Sequence, residues 1–220
     1  MDYPARVAYR NQTEASSYDA VRFNSIKGKL ADKLEKNAIG KLLAGIAPGS
    51  LVLDVACGTG RITSFLWDKQ MQAWGADISR EMMEVAQKKL ISENKHARFF
   101  QAEAETLPFE TGTFAAVTAI KLLGHVPPDS RVRILKELGR VCRGSIIVAY
   151  YFSSPPHNLK RSLRKFVTKT NSPWFPVTSS EVEEEVRRAG LRIEEIVAVA
   201  PLLSETKILR LVRDENFTGA

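Results

Sequence analysis

The stretch Leu51-Val52-Leu53-Asp54-Val55-Ala56-Cys57-Gly58-Thr59-Gly60-Arg61 decides how this chain is read. An apolar, strand-like run ends in a turn bracketed by two glycines and passes straight into a helix-like segment. Gly58 and Gly60 can take φ > 0 and carry no Cβ, so a ligand can approach the backbone while the amides of the following helix point toward it. Glycines alone describe any tight strand-to-helix turn. Asp54 inside the strand and Asp77 at the end of the next one mark this turn as part of a nucleotide pocket.

Outward from that turn, the pattern alternates. Leu34, Ala38, Leu42 and Ile46 recur every four residues and predict a helix ended by Pro48-Gly49. Strands are expected at 51–55, 72–76, 97–101, 114–119 and 144–151, with helices from about 61, at 80–92 and at 128–140. A helix at 179–189, opened by a cap pattern at Ser180 and Glu183 and closed by Gly190, leads to terminal strands at 192–200 and 205–213. Alternating βα units with mostly continuous apolar strands argue for an α/β fold, a doubly wound parallel sheet with helices on both faces. Right-handed crossovers bring the C-terminal strand ends to one rim, where a ligand belongs.

At 220 residues, 44% hydrophobic and 26% charged, the chain has the make-up of a single soluble domain. No apolar run approaches the ~20 residues needed to cross a bilayer. The opening Met1-Asp2-Tyr3-Pro4-Ala5-Arg6 lacks an apolar signal segment, so cytoplasmic residence is expected. Cys57 and Cys142 make no disulfide framework and have no zinc-site spacing; they read as small buried residues, and no metal is expected. The net charge of +7 concentrates in 157–169, where Leu159, Leu163, Phe166 and Val167 recur at helical spacing among Lys160, Arg161, Arg164 and Lys165. That is a basic amphipathic helix, compatible with nucleic acid, an anionic substrate, a membrane surface or solvent.

The residues resemble a known family. Asp54-Val55-Ala56-Cys57-Gly58-Thr59-Gly60 looks like the first motif of class I S-adenosylmethionine-dependent methyltransferases, and Gly75-Ala76-Asp77-Ile78-Ser79 resembles their second. Ala102-Glu103-Ala104-Glu105-Thr106-Leu107-Pro108-Phe109, with Phe114 and Val117, is similar to the third and fourth, and Leu138 through Tyr151 to the last. The likeness covers residues 40–150 and extends to small-molecule members of the ubiquinone/menaquinone-biosynthesis kind. It implies a Rossmann-like, seven-stranded sheet, mostly parallel with one antiparallel strand near the C-terminus. Within one domain, 1–47 become an amino-terminal cap and first helix, 48–151 the cofactor-binding core, 152–178 a substrate roof, and 179–220 a helix and β-hairpin.

The resemblance also implies a cofactor, S-adenosyl-L-methionine, with S-adenosyl-L-homocysteine as product. Its methionyl part would lie against Ala56, Cys57, Gly58 and Gly60, with Asp54 beneath taking the ammonium directly or through water. A pyrophosphate there would meet like charge, and Thr63 stands where a dinucleotide fingerprint has its third glycine. Asp77, beside Ile78, would accept the ribose hydroxyls; its other reading is the N-cap of 80–92, which Ser79 would serve as well. Glu103 and Ala104, with Glu105, would read the adenine, and Ile120 would complete the cofactor contacts. Most relatives carry Asp at the place of Glu103, and Phe-Asp where this chain has Phe114-Ala115.

On the acceptor side, Thr118-Ala119-Ile120-Lys121 contains no Asn/Asp-Pro-Pro-aromatic run, which disfavours amino-directed methylation of nucleic-acid bases; Ser154-Pro155-Pro156-His157 follows the wrong strand. Methyl transfer is an in-line SN2 displacement helped chiefly by alignment and exclusion of water, so a base is optional. His125, just past the fourth strand, is the first candidate for one, or else only packs its loop. Of Tyr150 and Tyr151, strand alternation turns one toward the pocket, and Tyr151 is taken as the catalytic candidate. Tyr18 and Arg22, in a segment resembling the family's donor-covering cap, are candidates for the donor's carboxylate. The leading reading is methyl transfer to a small or lipid-like acceptor, by a monomer or homodimer. An RNA methyltransferase using the basic surface and a non-catalytic donor-binding subunit are the alternatives.

Overall fold

Helix α1 (Ile26–Leu42) is followed by β1 (Leu51–Val55), α2 (Arg61–Asp68), β2 (Gln72–Asp77), α3 (Arg80–Ser92), β3 (Arg98–Gln101) and β4 (Phe114–Ala119) in the computed structural model. A 3₁₀ turn (Leu123–His125), α4 (Pro128–Val141), β5 (Cys142–Tyr151), α5 (Ser179–Arg188), β6 (Leu191–Ala198) and β7 (Thr206–Arg213) complete the order. The structure describes residues 18, 25–153, 175–200 and 204–217. The basic segment 157–169, Arg22 and most of the expected roof lie outside them.

The strands form one sheet in the order β3-β2-β1-β4-β5-β7-β6, and β7 runs antiparallel to both of its neighbours. This is the expected sheet, mostly parallel with one reversed strand near the C-terminus. Chain order turns back between the paired strands β1 and β4, so a crevice opens beyond their C-terminal ends.

Apolar strands are explained by burial on both faces. Leu53, Val55, Phe114, Val117, Ile146 and Val148 join Ile134, Leu135 and Leu138 of α4 in one core layer. Val52, Ala73, Ala116, Ile147 and Ile208 meet Ile39 and Leu42 of α1 and Ile62 and Leu66 of α2 in the other. Each fully buried Leu, Ile or Phe contributes roughly 1.5–3 kcal/mol, so alternation along a strand binds helices to both sides.

Local chemistry sets the helix ends. The Ser25 and Ser79 hydroxyls accept from the amides of Gly28 and Met82 to open α1 and α3, and Pro128 begins α4. Helix α5 opens at Thr178 rather than Ser180: Thr178 and Glu181 form the reciprocal capping box, two residues ahead of the Ser180–Glu183 pair. Val177, bridged to Phe152, is buried in the core and fixes that entry point.

Helix α1 starts at Ile26 and stops at Leu42, before Pro48-Gly49. Gly45, at φ 92, turns the chain, and Ile46 packs on the core from that turn. Strand β5 starts at Cys142, two residues before the expected 144, because Phe114 pairs with Cys142 ahead of a register shift. At that bulge Gly144 leaves room for the Ala115 carbonyl.

Candidate active site

Leaving β1, the backbone turns through left-handed conformations at Ala56 (φ 56), Gly58 (φ 53) and Gly60 (φ 73). Ala56 holds its conformation at an exposed position, a strain of about 1–2 kcal/mol that surrounding bonds maintain. The Cys57 amide donates to the Ala76 carbonyl at 3.1 Å, and the Gly60 amide donates back to the Cys57 carbonyl at 2.9 Å. These bonds tie the loop to β2 and aim the start of α2 into the crevice.

The two glycines serve different ends. A Cβ on Gly60 would lie 2.9 Å from both Ala86 and Leu90 of α3, so this glycine admits helix packing as well as its backbone angle. A Cβ on Gly58 would meet only the flexible end of Met82, at 3.4 Å. There the conformation matters most, because it turns the amide toward Asp77.

Asp77 is half-buried at the end of β2. Its Oδ2 accepts from the Gly58 amide at 2.7 Å and its Oδ1 from the Ser79 amide at 2.9 Å. Burial pushes its carboxyl up, while the amides of Ser79, Gly58 and Ile78 pull it down. Ser79, not Asp77, caps α3.

Asp54 is only 2% exposed, and its oxygens accept from the hydroxyls of Thr63 on α2 (2.7 Å) and Thr118 on β4 (2.9 Å). Loss of hydration raises its carboxyl to about 6, against the pull of those two hydroxyls and Arg61. Burial, reinforced by Asp77 and Asp54, pushes the Cys57 thiol well up, which suits packing and opposes nucleophilic use.

Beside Asp77, a cleft of about 560 Å³ is lined by Ile78, Arg80, Glu81, Gln101, Ala102 and Glu103. Helix α4 holds the loop that supplies its far wall. Arg140 donates to the carbonyls of Phe109 (2.7 Å) and Leu107 (3.0 Å), and Glu137 accepts the Leu107 amide at 2.6 Å. Asp77, Ile78 and Glu103 are thus brought together. Glu105 pairs with Arg133 of α4 at 2.7 Å, and Ala104 packs against the core.

Across the crevice, Ile120 is buried in the core layer beneath α1, and Lys121 takes a left-handed φ of 55. The 3₁₀ turn sets His125 edge-on to Tyr151, with ring centroids 6.5 Å apart. Gly124 permits this approach, since a Cβ there would overlap the Tyr151 ring. The Gly124 carbonyl accepts the Phe175 amide at 3.1 Å, and the Tyr151 carbonyl accepts the Val177 amide at 3.0 Å. Tyr150 faces the core, where its hydroxyl donates to Glu185 at 3.0 Å inside the buried Arg131–Glu185 pair. Arg131 also donates to the carbonyl of Val126, next to His125. Tyr18 is half-buried and helical, while Arg22 lies outside the described residues.

A family model described as a methyltransferase domain matches residues 52–145. A demethylmenaquinone methyltransferase of Thermotoga maritima is 30% identical over 207 residues, covering 92% of this chain and 84% of the relative. The chain belongs to the class I S-adenosylmethionine-dependent methyltransferases. S-adenosylmethionine is therefore its cofactor.

A demethylmenaquinone methyltransferase of Clavibacter sepedonicus is 33% identical over 163 residues, 72% of this methyltransferase chain and 62% of the relative. One from Lactococcus lactis is 36% identical over 136 residues, 60% of this chain and 53% of the relative. The chain thus spans little more than half the length of those two relatives. In fold it is similar to magnesium protoporphyrin IX methyltransferase from Synechocystis with bound S-adenosylhomocysteine, with a TM-score of 0.77, 18% identity, and coverage of 93% of this chain and 96% of that one.

Several site residues escape sequence reading. Thr63 and Thr118, which hold Asp54, carry only the signal of hydroxyls beside a buried acid. Gly124 could be found as the glycine preceding His125. Glu35, Arg61 and Lys121, which meet above the crevice, leave no local signal.

Proposed function

We propose that this chain transfers the methyl group of S-adenosylmethionine to a small hydrophobic acceptor. The observation that carries the reading is the Gly58–Asp77 latch: an acid from β2 and a glycine amide from the β1–α2 loop share one rim, with a cleft beside them. The residues present fit the donor. Asp54 and Asp77 supply negative charge beneath a loop with left-handed glycines, where a sulfonium and an ammonium are stabilised and a pyrophosphate is not. When bound, S-adenosylmethionine supplies an electrophilic methyl on a cationic sulfur.

In this reading Gly58 and Gly60, with Ala56 and Cys57, shape the floor for the methionyl part. Asp54, whose oxygens are taken by two threonines, acts through its charge or a bridging water. Asp77 accepts ribose hydroxyls with its remaining lone pairs or by giving up the Gly58 amide, and Ile78 and Glu103 border the adenine. Ile120 backs the methionyl end. His125 and Tyr151 face the acceptor, where either takes or holds a hydroxyl proton while alignment and dryness do the larger part. The cap role of Tyr18 and Arg22 completes the donor side.

The acceptor class is supported by the aromatic pairing of half-buried His125 with buried Tyr151, and by the name demethylmenaquinone methyltransferase borne by the relative matched over most of its length. A cytoplasmic enzyme needs no membrane insertion for such chemistry; among the described residues, no helix is long and apolar enough to cross a membrane. The test is calorimetric titration with S-adenosylmethionine and S-adenosylhomocysteine, then a donor-turnover screen over quinones, phenols, amines and RNA. Micromolar binding with turnover of a quinone or phenol is expected. Binding of neither nucleoside by folded protein would overturn the reading.

A further inference from the structure

Helix α1 reaches the crevice through one buried acid. Glu35, 4% exposed, accepts from the guanidinium of Arg61 with one oxygen and from Lys121 Nζ at 3.0 Å with the other. One turn earlier, Asp32 accepts from the same guanidinium and pairs with Lys36 at 2.9 Å. Arg61 is the first residue of α2, directly after Gly60, where a positive charge opposes the helix dipole and calls for nearby acids. Lys121 holds a left-handed backbone just past β4.

The sheet register places these cations on the same rim as the candidate donor loop. Asp54 pairs with Thr118, so Cys57 and Lys121 each lie three residues beyond matched positions on adjacent parallel strands. Glu35 therefore ties together the two loops that flank the crevice, from an element outside the sheet.

We propose that Glu35 is a positioning residue for the methyl donor, cancelling the charges of Arg61 and Lys121 at the rim so that a cationic sulfonium is accepted there. This rests on the donor site described under Proposed function. S-adenosylmethionine and S-adenosylhomocysteine share the ammonium, carboxylate, ribose and adenine and differ in the sulfonium charge and its methyl. The ratio of their affinities therefore reports the rim's charge, whereas a merely structural role for Glu35 would weaken both alike.

The experiment measures both dissociation constants by calorimetry on the full chain, for wild type, Glu35→Gln and Lys121→Gln. Glu35→Gln keeps the shape and leaves two cations with one acid fewer, so the preference for the sulfonium donor over product falls by about three- to tenfold, as expected for a unit charge within a Debye length. Lys121→Gln removes a cation and moves the preference the opposite way. Unchanged ratios, or ratios moving in the same direction in both variants, would overturn the proposal. Should Glu35→Gln not fold, the sign of the Lys121→Gln change decides, since the Lys121 side chain is 30% exposed. Failure of the wild type to bind either nucleoside would sink the donor site itself, a result distinct from either variant outcome.

Discussion

Replacing Asp54 by Asn separates what the fold prefers from what the reaction needs. The carboxyl is buried with two threonine hydroxyls, and its ionisation moves from an ordinary 3.8 to about 6 on folding. A raised acid pKa means the folded state holds the proton more tightly than the unfolded one. Stability from this group is complete below pH 3.8 and is lost as pH rises through about 6. The shift of roughly two units corresponds to about 3 kcal/mol at neutral pH. Asn keeps the shape, and one threonine hydroxyl can rotate to accept from its amide. Urea unfolding followed by tryptophan fluorescence should show Asp54→Asn more stable than wild type by up to about 3 kcal/mol at pH 8, with the gain fading toward pH 4. Donor affinity should move the other way, falling about tenfold or more at pH 8, and wild-type affinity should weaken below pH 6 as Asp54 gains its proton. A variant less stable than wild type at pH 8, or a stability difference independent of pH, would refute this account.

Gly124→Ala drives a methyl into the Tyr151 ring, so kcat for the acceptor should fall at least about tenfold while calorimetric donor affinity holds, at a stability cost of roughly 1–3 kcal/mol. The adjacent tyrosines should part company: Tyr150→Phe loses about 1 kcal/mol in urea unfolding with turnover intact, whereas Tyr151→Phe loses turnover. Glu185→Ala leaves the Arg131 guanidinium buried without its carboxylate, so calorimetric unfolding should register a loss of roughly 3–5 kcal/mol, or about 10 °C in Tm.

The fold is legible because burial is periodic. Leu51 through Val55 and Phe114 through Ala119 announce themselves as strands buried on both faces, and that property alone forces helices onto both sides of the sheet. Errors fall where a local rule has competitors. Thr178-Ser179-Ser180-Glu181 and Ser180-Glu181-Val182-Glu183 both satisfy the capping pattern, and only the burial of Val177 selects the first. Pro48-Gly49 is the stronger stop signal in the sequence after α1, although Gly45 already turns the chain.

The site is less legible because it is assembled at a rim where distant segments meet. Periodicity says that Glu35 lies on a buried face but is silent on its partners, one of which, Lys121, is 86 positions away. Gly58 and Gly60 read alike in a motif. In the structure one aims an amide at an acid 19 residues on, while the other makes room for Ala86 and Leu90. Residue type shows which chemistry a position can support. Contact decides which part of that chemistry is used, and at this rim the contacts are polar and long-range, so their charges must be probed in pairs: an acid that balances two cations has an effect only in their company.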